Sequence, residues 1–458
     1  MARSRNRRQH NRNSRKQCGG KYIGEGTYGC VFSPPIINAD IPFKEPANDK
    51  YISKILSEDA SHAELNIQTL IKAVDPHNHF FLTYKNVYPL NTFHKTDQDG
   101  KMKCLPNCGI TALNKRNIQE TDSLCSYNPS NLVNITYENG GVALDGLLHN
   151  KAIQLKDLMV PFYGLICGLC MLLKTYNSSN GTIIKPSIIH GDIKKDNVLY
   201  DQSHKRLRYI DLGLSIYSNT LFTNTLFNQQ NCYREHPYDF YFFTKAYHSL
   251  YLGSPSPVET KVLAIRKEFV EFMIKTEGTR DTTRLMAVQR QISDDIRNRR
   301  PTPYTEFLMI TKANEVIQFL ETNNFTWDNM PFRQYIVSQY FAVNHQDVLY
   351  EFGSFIAFII CNYNDKDVRR QTGLKIVETF DTFSLGKIMM ESVIALIGTS
   401  PSHNQDVFKD FADICYLMKR LDPYLRITPT NLIEKYEQFL LKHKLTDSGL
   451  LVKLRSYV

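Results

Sequence analysis

The sequence predicts an α+β protein in two lobes, a small β-rich front followed by a large helical back. Three observations carry this expectation. The strand-like runs of residues 19–139 are short, the first two set around a glycine-rich turn, whereas after Gly140-Gly141 the apolar residues recur at helical spacing. The chain has 458 residues, 42% hydrophobic and 12% aromatic, enough apolar material for a sizeable core and incompatible with a wholly disordered chain.

Taken in order, residues 1–18 form a basic tail. Arg3, Arg5, Arg7, Arg8, Arg12, Arg15 and Lys16 are its seven cations, and no acid accompanies them. The formal net charge is +9, so subtracting those seven leaves +2 for the rest. The tail is expected to be solvated and disordered, with weak phosphate contacts to nucleic acid as its candidate interaction. It lacks the apolar stretch of a signal peptide. No apolar run reaches the roughly 18 residues that span a bilayer. The longest, 159–173, contains Pro161 and two glycines and reads as a buried helix. The expectation is a soluble intracellular protein, not secreted and with no membrane partner, whose ten cysteines are reduced thiols. Cys104 and Cys108, with Cys125 beyond, lack the second close pair of a zinc site, and Cys167 and Cys170 read as core residues.

The front lobe is assigned to residues 19–139. Residues 21–23, a glycine-rich turn and Cys30-Val31-Phe32 read as strand, turn, strand. Further strands are expected at 51–56, 80–84 and 132–137, a helix at 63–74, and a polar surface insertion at about 92–131. The back lobe divides into 140–245, a helical insertion at 246–375, and a remainder at 376–458. Its expected helices are 155–176, about 258–300, 305–322, 380–396 and 408–418, with short strands at 198–200 and 207–210.

Two motifs carry chemistry. Gly24-Glu25-Gly26-Thr27-Tyr28-Gly29, followed by Cys30-Val31, can turn sharply and bring amide N–H groups to phosphate oxygens. A strand follows it rather than a helix, so it reads as a lid over phosphates and not as a dinucleotide cradle. The second motif is His190-Gly191-Asp192-Ile193-Lys194-Lys195-Asp196-Asn197. Asp192 suits acceptance of a hydroxyl proton, Lys194 neutralisation of developing anionic charge, and Asn197 an oxygen contact to a divalent metal. Asp211-Leu212-Gly213 follows, with Asp211 as a second metal ligand. Upstream, Lys54 ends a strand where it can reach phosphates if a carboxylate holds it; Glu64 is the candidate partner, Glu58 the weaker one.

In identity, order and approximate spacing this series resembles the eukaryotic-type serine/threonine protein kinases, in the divergent form encoded by large DNA viruses. Further matches are Cys232-Tyr233-Arg234-Glu235-His236-Pro237, similar to a substrate-docking loop, Asp381 in Asp381-Thr382-Phe383-Ser384-Leu385-Gly386, and Leu421-Asp422-Pro423 with Arg426. The resemblance covers about residues 19–245 and 376–440. It implies a bilobal kinase-like fold and transfer of the ATP γ-phosphate to serine or threonine hydroxyls of protein substrates, with Mg²⁺ or Mn²⁺ as the metal. Catalytic roles fall to Asp192, Lys194, Asn197 and Lys54. ATP contacts fall to Ile23, Gly24, Glu25, Gly26, Thr27, Tyr28, Gly29, Cys30, Val31, Lys54, Glu64, Glu138 and Gly140, and metal ligation to Asn197 and Asp211. Val31 and Leu199 would pack on the adenine, Asp381 would brace the catalytic loop, and His190 would act structurally behind the metal-binding Asp211. A viral origin would place the protein in host cytoplasm or virion, with the nucleus reachable through the tail. The competing readings are a kinase-fold scaffold that binds nucleotide without transfer, a small-molecule kinase, and a nucleic-acid-binding protein acting through its tail.

The sequence also departs from that pattern. The 246–375 insertion is a candidate docking platform for a partner. No glutamate follows Pro237, and Asp239 is the candidate replacement partner for Arg426. Gly191 stands where many members of the family place an arginine that pairs with a phosphate on the activation segment. Activity is therefore expected without phosphorylation of Thr220, Thr223 or Thr225. A chain shown by mass mapping to carry no phosphate should remain fully active; an inactive dephosphorylated chain overturns the expectation.

Overall fold

The computed structural model describes residues 21–26, 29–35, 50–89, 132–174, 176–177, 183–184, 187–218, 236–237, 239–240, 366–396, 405–420 and 422–458. Outside them lie the basic tail, the 92–131 insertion with its three cysteines, Thr27, Tyr28, Thr220, Thr223 and Thr225, residues 232–235, and the helices expected at 258–300 and 305–322. The described chain is a mixed α and β protein of helices and small antiparallel sheets. It divides into two compact units, Met1–Leu65 with Tyr84–Asn139, and Asn66–Thr83 with Gly140–Val458.

The first unit is a five-stranded sheet of β1 (Lys21–Gly26), β2 (Gly29–Ser33), β3 (Tyr51–Ser57), β4 (Asn86–Pro89) and β5 (Leu132–Glu138), ordered β1-β2-β3-β5-β4. All neighbours are antiparallel. The β-branched residues of β3 and β5 suit a pleated surface, and Ile55, Leu56 and Ile135 are fully buried on it. The register shifts between Tyr22 and Gly24, where Ile23 is inserted as an extra residue and left 53% exposed.

Two elements expected within residues 19–139 move. The strand expected at 80–84 is an irregular segment with a single bridge from Phe81 to Tyr209, and the strand is β4 instead. The reason is Asp75, whose buried carboxylate accepts the N–H groups of His79 at 2.8 Å, Phe80 at 2.9 Å and Phe81 at 3.0 Å. Those donors are withdrawn from any sheet ladder, and Phe80 and Phe81 turn into the helical core. Helix α1 (Glu58–Val74) begins earlier than expected because Ser57 Oγ accepts the Ala60 N–H at 3.3 Å and Glu58 and Asp59 occupy its electropositive first turn. Glu58, expected to precede the helix, is its first residue, and α1 runs through the division between the units.

In the second unit a short strand, β6 (Val142–Ala143), leads into α2 (Leu144–His149), and α2 is followed by α3 (Leu155–Leu173), which is apolar on nearly every side. By length and composition α3 could cross a membrane, but 78% of that window is buried inside the protein. It packs against α6 (Pro429–Lys442), α4 (Lys366–Leu396) and β11 (Arg206–Tyr209). Helix α3 stops at Leu173 rather than 176: Lys174 is extended, and Tyr176–Asn177 (β7) pairs with Ile183–Ile184 (β8). Helix α4 begins at Lys366, well before the expected 380, and runs unbroken across the expected boundary at 375/376. Two further helices are α5 (Gln405–Met418) and α7 (Ser448–Arg455). Helix α6 is capped by Thr428, which accepts the Asn431 N–H at 3.3 Å with Pro429 opening the helix; Asp447 caps α7 through Leu450 at 2.9 Å. Cys167, Cys170 and Cys415 are buried and free, with thiols pushed up in pKa by burial, to about 12 for Cys170. Reduced thiols do not extend to Cys30, which is disulfide-bonded to none of these three.

One ion pair of this unit is sealed from water. Arg426 Nη2 donates to Asp239 Oδ1 at 2.6 Å, with both side chains at 0% exposure. The guanidinium also donates to Thr379 Oγ1 at 3.2 Å and to the Arg420 carbonyl at 2.9 Å, and it lies over the Phe383 ring. Asp239 thus fills the place assigned to it beside Arg426. Removing one partner strands a charge in an apolar interior, so Arg426→Met is expected to lower unfolding free energy by about 3–5 kcal/mol. Arg426→Met with Asp239→Leu should recover most of that loss, as read from denaturant midpoints.

Candidate functional site

The glycine motif of the first unit forms the β1–β2 hairpin, with Gly26 opposite Gly29 and the tip residues Thr27 and Tyr28 outside the described set. Gly29 is needed for close approach: a Cβ there would lie 2.2 Å from the Ile55 carbonyl oxygen on β3. Its role in holding β2 against β3 is separate from any role in approaching a phosphate. Cys30 is buried, and Val31 pairs with Lys54 across the β2–β3 ladder.

Lys54 stands on β3 and reaches α1. Its ammonium donates to Glu64 at 3.1 Å to Oε1 and 2.9 Å to Oε2. Glu58, the weaker candidate, is largely exposed and faces His62 at 3.8 Å. The tyrosine hydroxyl of Tyr137 on β5 donates to Glu64 Oε1 at 3.2 Å. Tyr137 was visible in the sequence only as a strand aromatic, since nothing in its spacing reveals a bond to a residue 73 positions away. Glu138 closes β5 opposite Tyr51, and Asn139 donates to the Lys50 carbonyl at 2.7 Å.

The second unit contains the Asp192 loop. Strand β9 (Ile188–Ile189) leads in and β10 (Val198–Asp201) leads out, antiparallel to β11. Asp381, in the middle of α4, accepts two backbone N–H groups of the loop, His190 at 2.7 Å and Gly191 at 3.1 Å. Burial raises its pKa, against the pull of those donors. The His190 pKa is lowered by burial, so its ring is neutral. One assignment satisfies both nitrogens: Nε2–H donates to the Ile210 carbonyl at 3.1 Å, and Nδ1 accepts the Asp192 N–H at 3.4 Å. Gly191 has φ +74°, a left-handed conformation that side chains other than glycine seldom adopt, and a Cβ there would sit 3.0 Å from the Leu214 carbonyl. His236 Nε2 donates to the Gly191 carbonyl at 2.8 Å, a buried link that the sequence did not suggest.

Asp192, Lys194 and Asn197 come together as a group. Lys194 Nζ donates to both carboxylate oxygens of Asp192, at 3.1 and 2.8 Å. Asn197 Nδ2 donates to Asp192 Oδ2 at 2.7 Å and to the Asp192 carbonyl at 2.9 Å. Those bonds use the amide nitrogen, so the amide oxygen is the atom offered to a cation. Desolvation raises the Asp192 pKa despite the donors Lys194 and Asn197, and Asp211 adds to the rise. Asp211 follows β11 at φ +59°, a strained conformation for a non-glycine residue of the kind found at functional sites. Among the described residues no cluster of three or more His, Cys, Asp or Glu side chains could hold a metal. Magnesium, however, is commonly held by one or two carboxylates with phosphate and water oxygens, which an amide oxygen and Asp211 fit. Gly140 packs against Leu199, whose Cδ1 would lie 2.4 Å from a Cβ at that position.

No family model matches the chain, and no curated protein matches it. The loop geometry yields its own expectation. Asp381→Asn places an amide N–H where a backbone N–H now finds an acceptor, and should cost about 1–3 kcal/mol of stability. Hydrogen exchange at His190 and Gly191 should accelerate in the same variant; unchanged exchange would show that Asp381 does not hold the loop.

Proposed function

We propose that the chain is a serine/threonine protein kinase that uses ATP and a divalent metal. The observation that carries the reading is the Asp192 group: a buried carboxylate with raised pKa, bridged by Lys194 and Asn197 on a loop anchored at Asp381. A carboxylate beside an ammonium on a fixed loop suits transfer of a phosphoryl group to a hydroxyl. The Lys54–Glu64 pair supports the same reading, since a lysine held by a buried glutamate is arranged to bind phosphates. Ile23, exposed at the bulge of β1, offers apolar surface to a base.

In this reading Asp192 Oδ accepts the proton of the substrate hydroxyl as its oxygen bonds to the γ-phosphorus and the bond to the ADP oxygen breaks. Lys194 neutralises the negative charge on the transferring group. Asn197 and Asp211 hold the cation, which when bound supplies positive charge against the phosphates. His190, neutral and bonded to the Ile210 carbonyl, fixes the backbone from which Asp211 departs. Divergence of kinase type, viral origin, a docking role for 246–375 and nucleic-acid contact by the tail belong to the same proposal and rest on sequence alone.

The test is transfer of labelled γ-phosphate from ATP with Mg²⁺ to serine/threonine substrates, with Asp192→Asn as control. Transfer is expected in the wild type and a loss of about 10²-fold or more in the variant. Nucleotide binding without transfer would favour the scaffold reading. The pH dependence follows from the Asp192 shift. The carboxylate must be ionised to accept a proton, so activity falls as pH drops through its raised pKa, above the ordinary 3.8. Lys194 lowers that pKa. Lys194→Met should therefore move the acid limb of the residual activity to higher pH, besides lowering the rate.

A further inference from the structure

The ammonium of Lys54 has three donors, and two of them point at Glu64. Glu64 is 2% exposed, so its carboxylate oxygens depend on protein donors rather than on bulk water. The two bonds are unequal, 2.9 Å to Oε2 and 3.1 Å to Oε1. Oε1, on the longer bond, is also the oxygen that accepts the Tyr137 hydroxyl at 3.2 Å. Tyr137 is itself buried, at 6% exposure, and lies on β5, whose ladder with β3 sets Tyr137 opposite Ile52 and Ile135 opposite Lys54. With a side-chain period of two, Lys54 and Tyr137 share one face of the sheet.

We propose that Tyr137 is a positioning residue for the phosphate-binding lysine. When Lys54 turns the donor on Oε1 toward a phosphate oxygen, the Tyr137 hydroxyl keeps Oε1 satisfied, and Glu64 retains its grip on Lys54 through Oε2. The rotation exchanges one acceptor for another without leaving a buried anion short of a donor. This rests on the nucleotide reading of the site, and adds to it a residue outside the lysine–glutamate pair. The consequence is selective. A ligand with phosphates draws on the exchange; the same ligand without phosphates does not.

The experiment compares binding of ATP with Mg²⁺ and of adenosine to the full chain and to Tyr137→Phe, by calorimetry. The variant keeps the ring and removes only the hydroxyl, and its thermal midpoint is recorded alongside. ATP binding should weaken about tenfold, the factor carried by one net hydrogen bond, with adenosine changed by less than about twofold. In a Glu64→Ala background the same substitution should leave the ATP-to-adenosine ratio unchanged. Equal weakening of both ligands would show a packing role and overturn the proposal, as would an unchanged ratio in Tyr137→Phe or a similar selective loss without Glu64. Failure of the wild-type chain to bind ATP at all would instead remove the nucleotide reading on which the proposal stands.

Discussion

The Asp381 carboxylate is buried in the middle of α4 and accepts two backbone N–H groups, those of His190 and Gly191. A carboxylate in an apolar interior is costly unless donors surround it, so the loop cannot leave Asp381 without exposing that cost. The residues that follow inherit its position. Asp192 emerges with its N–H on His190 Nδ1, and the other ring nitrogen reaches the carbonyl of Ile210, the residue before Asp211. One buried anion thereby sets the origin of both carboxylates of the proposed site, through backbone rather than side-chain contacts.

The same physics separates stabilising charge from working charge. Arg426 and Asp239 are fully buried and paired, and the guanidinium also donates to Thr379 and to the Arg420 carbonyl, so water does not reach the pair. Lys194 is about a third exposed and paired to an acid whose pKa burial has raised. Its partner can be traded for an incoming anion at small cost. Lys54 lies between these cases, 12% exposed against a glutamate at 3%. An exchange there requires another donor at Glu64, and the Tyr137 hydroxyl is at hand.

Much of the site was legible because it is written in short spacings. Asp192, Lys194 and Asn197 lie within six residues, and a loop of that length cannot easily scatter them. Glu64 is preferred in the sequence because Glu58 is expected to precede the helix; the helix begins at Glu58, and what separates the two is that Glu64 is buried against Lys54 while Glu58 is largely exposed. Asp239 was found beside Arg426 by elimination of the expected glutamate. Tyr137, His236 and Asp75 were not legible, because each acts through a bond that depends on tertiary position. Asp75 also explains the misplaced strand: β-propensity in 80–84 was real, but three N–H groups had a nearer acceptor than a neighbouring strand. The disulfide at Cys30 carried no sequence signal, since an expectation of reduced thiols rests on compartment and not on geometry.

Gly191 shows why the departures from a motif matter as much as its matches. Read as a sequence, it is an arginine missing from a phosphate-binding place. In the fold it is a residue at φ +74° whose N–H is held by Asp381 and whose carbonyl is held by His236. Both peptide groups of the residue are thus fixed from within the protein, by α4 on one side and by the chain around Pro237 on the other. His236 packs edge-on against Phe240 and Phe380, and Phe380 adjoins Asp381 in the chain. The main-chain contacts at Gly191, its N–H on Asp381 and its carbonyl on His236, therefore fix the loop from inside the fold, while the left-handed φ is what calls for glycine.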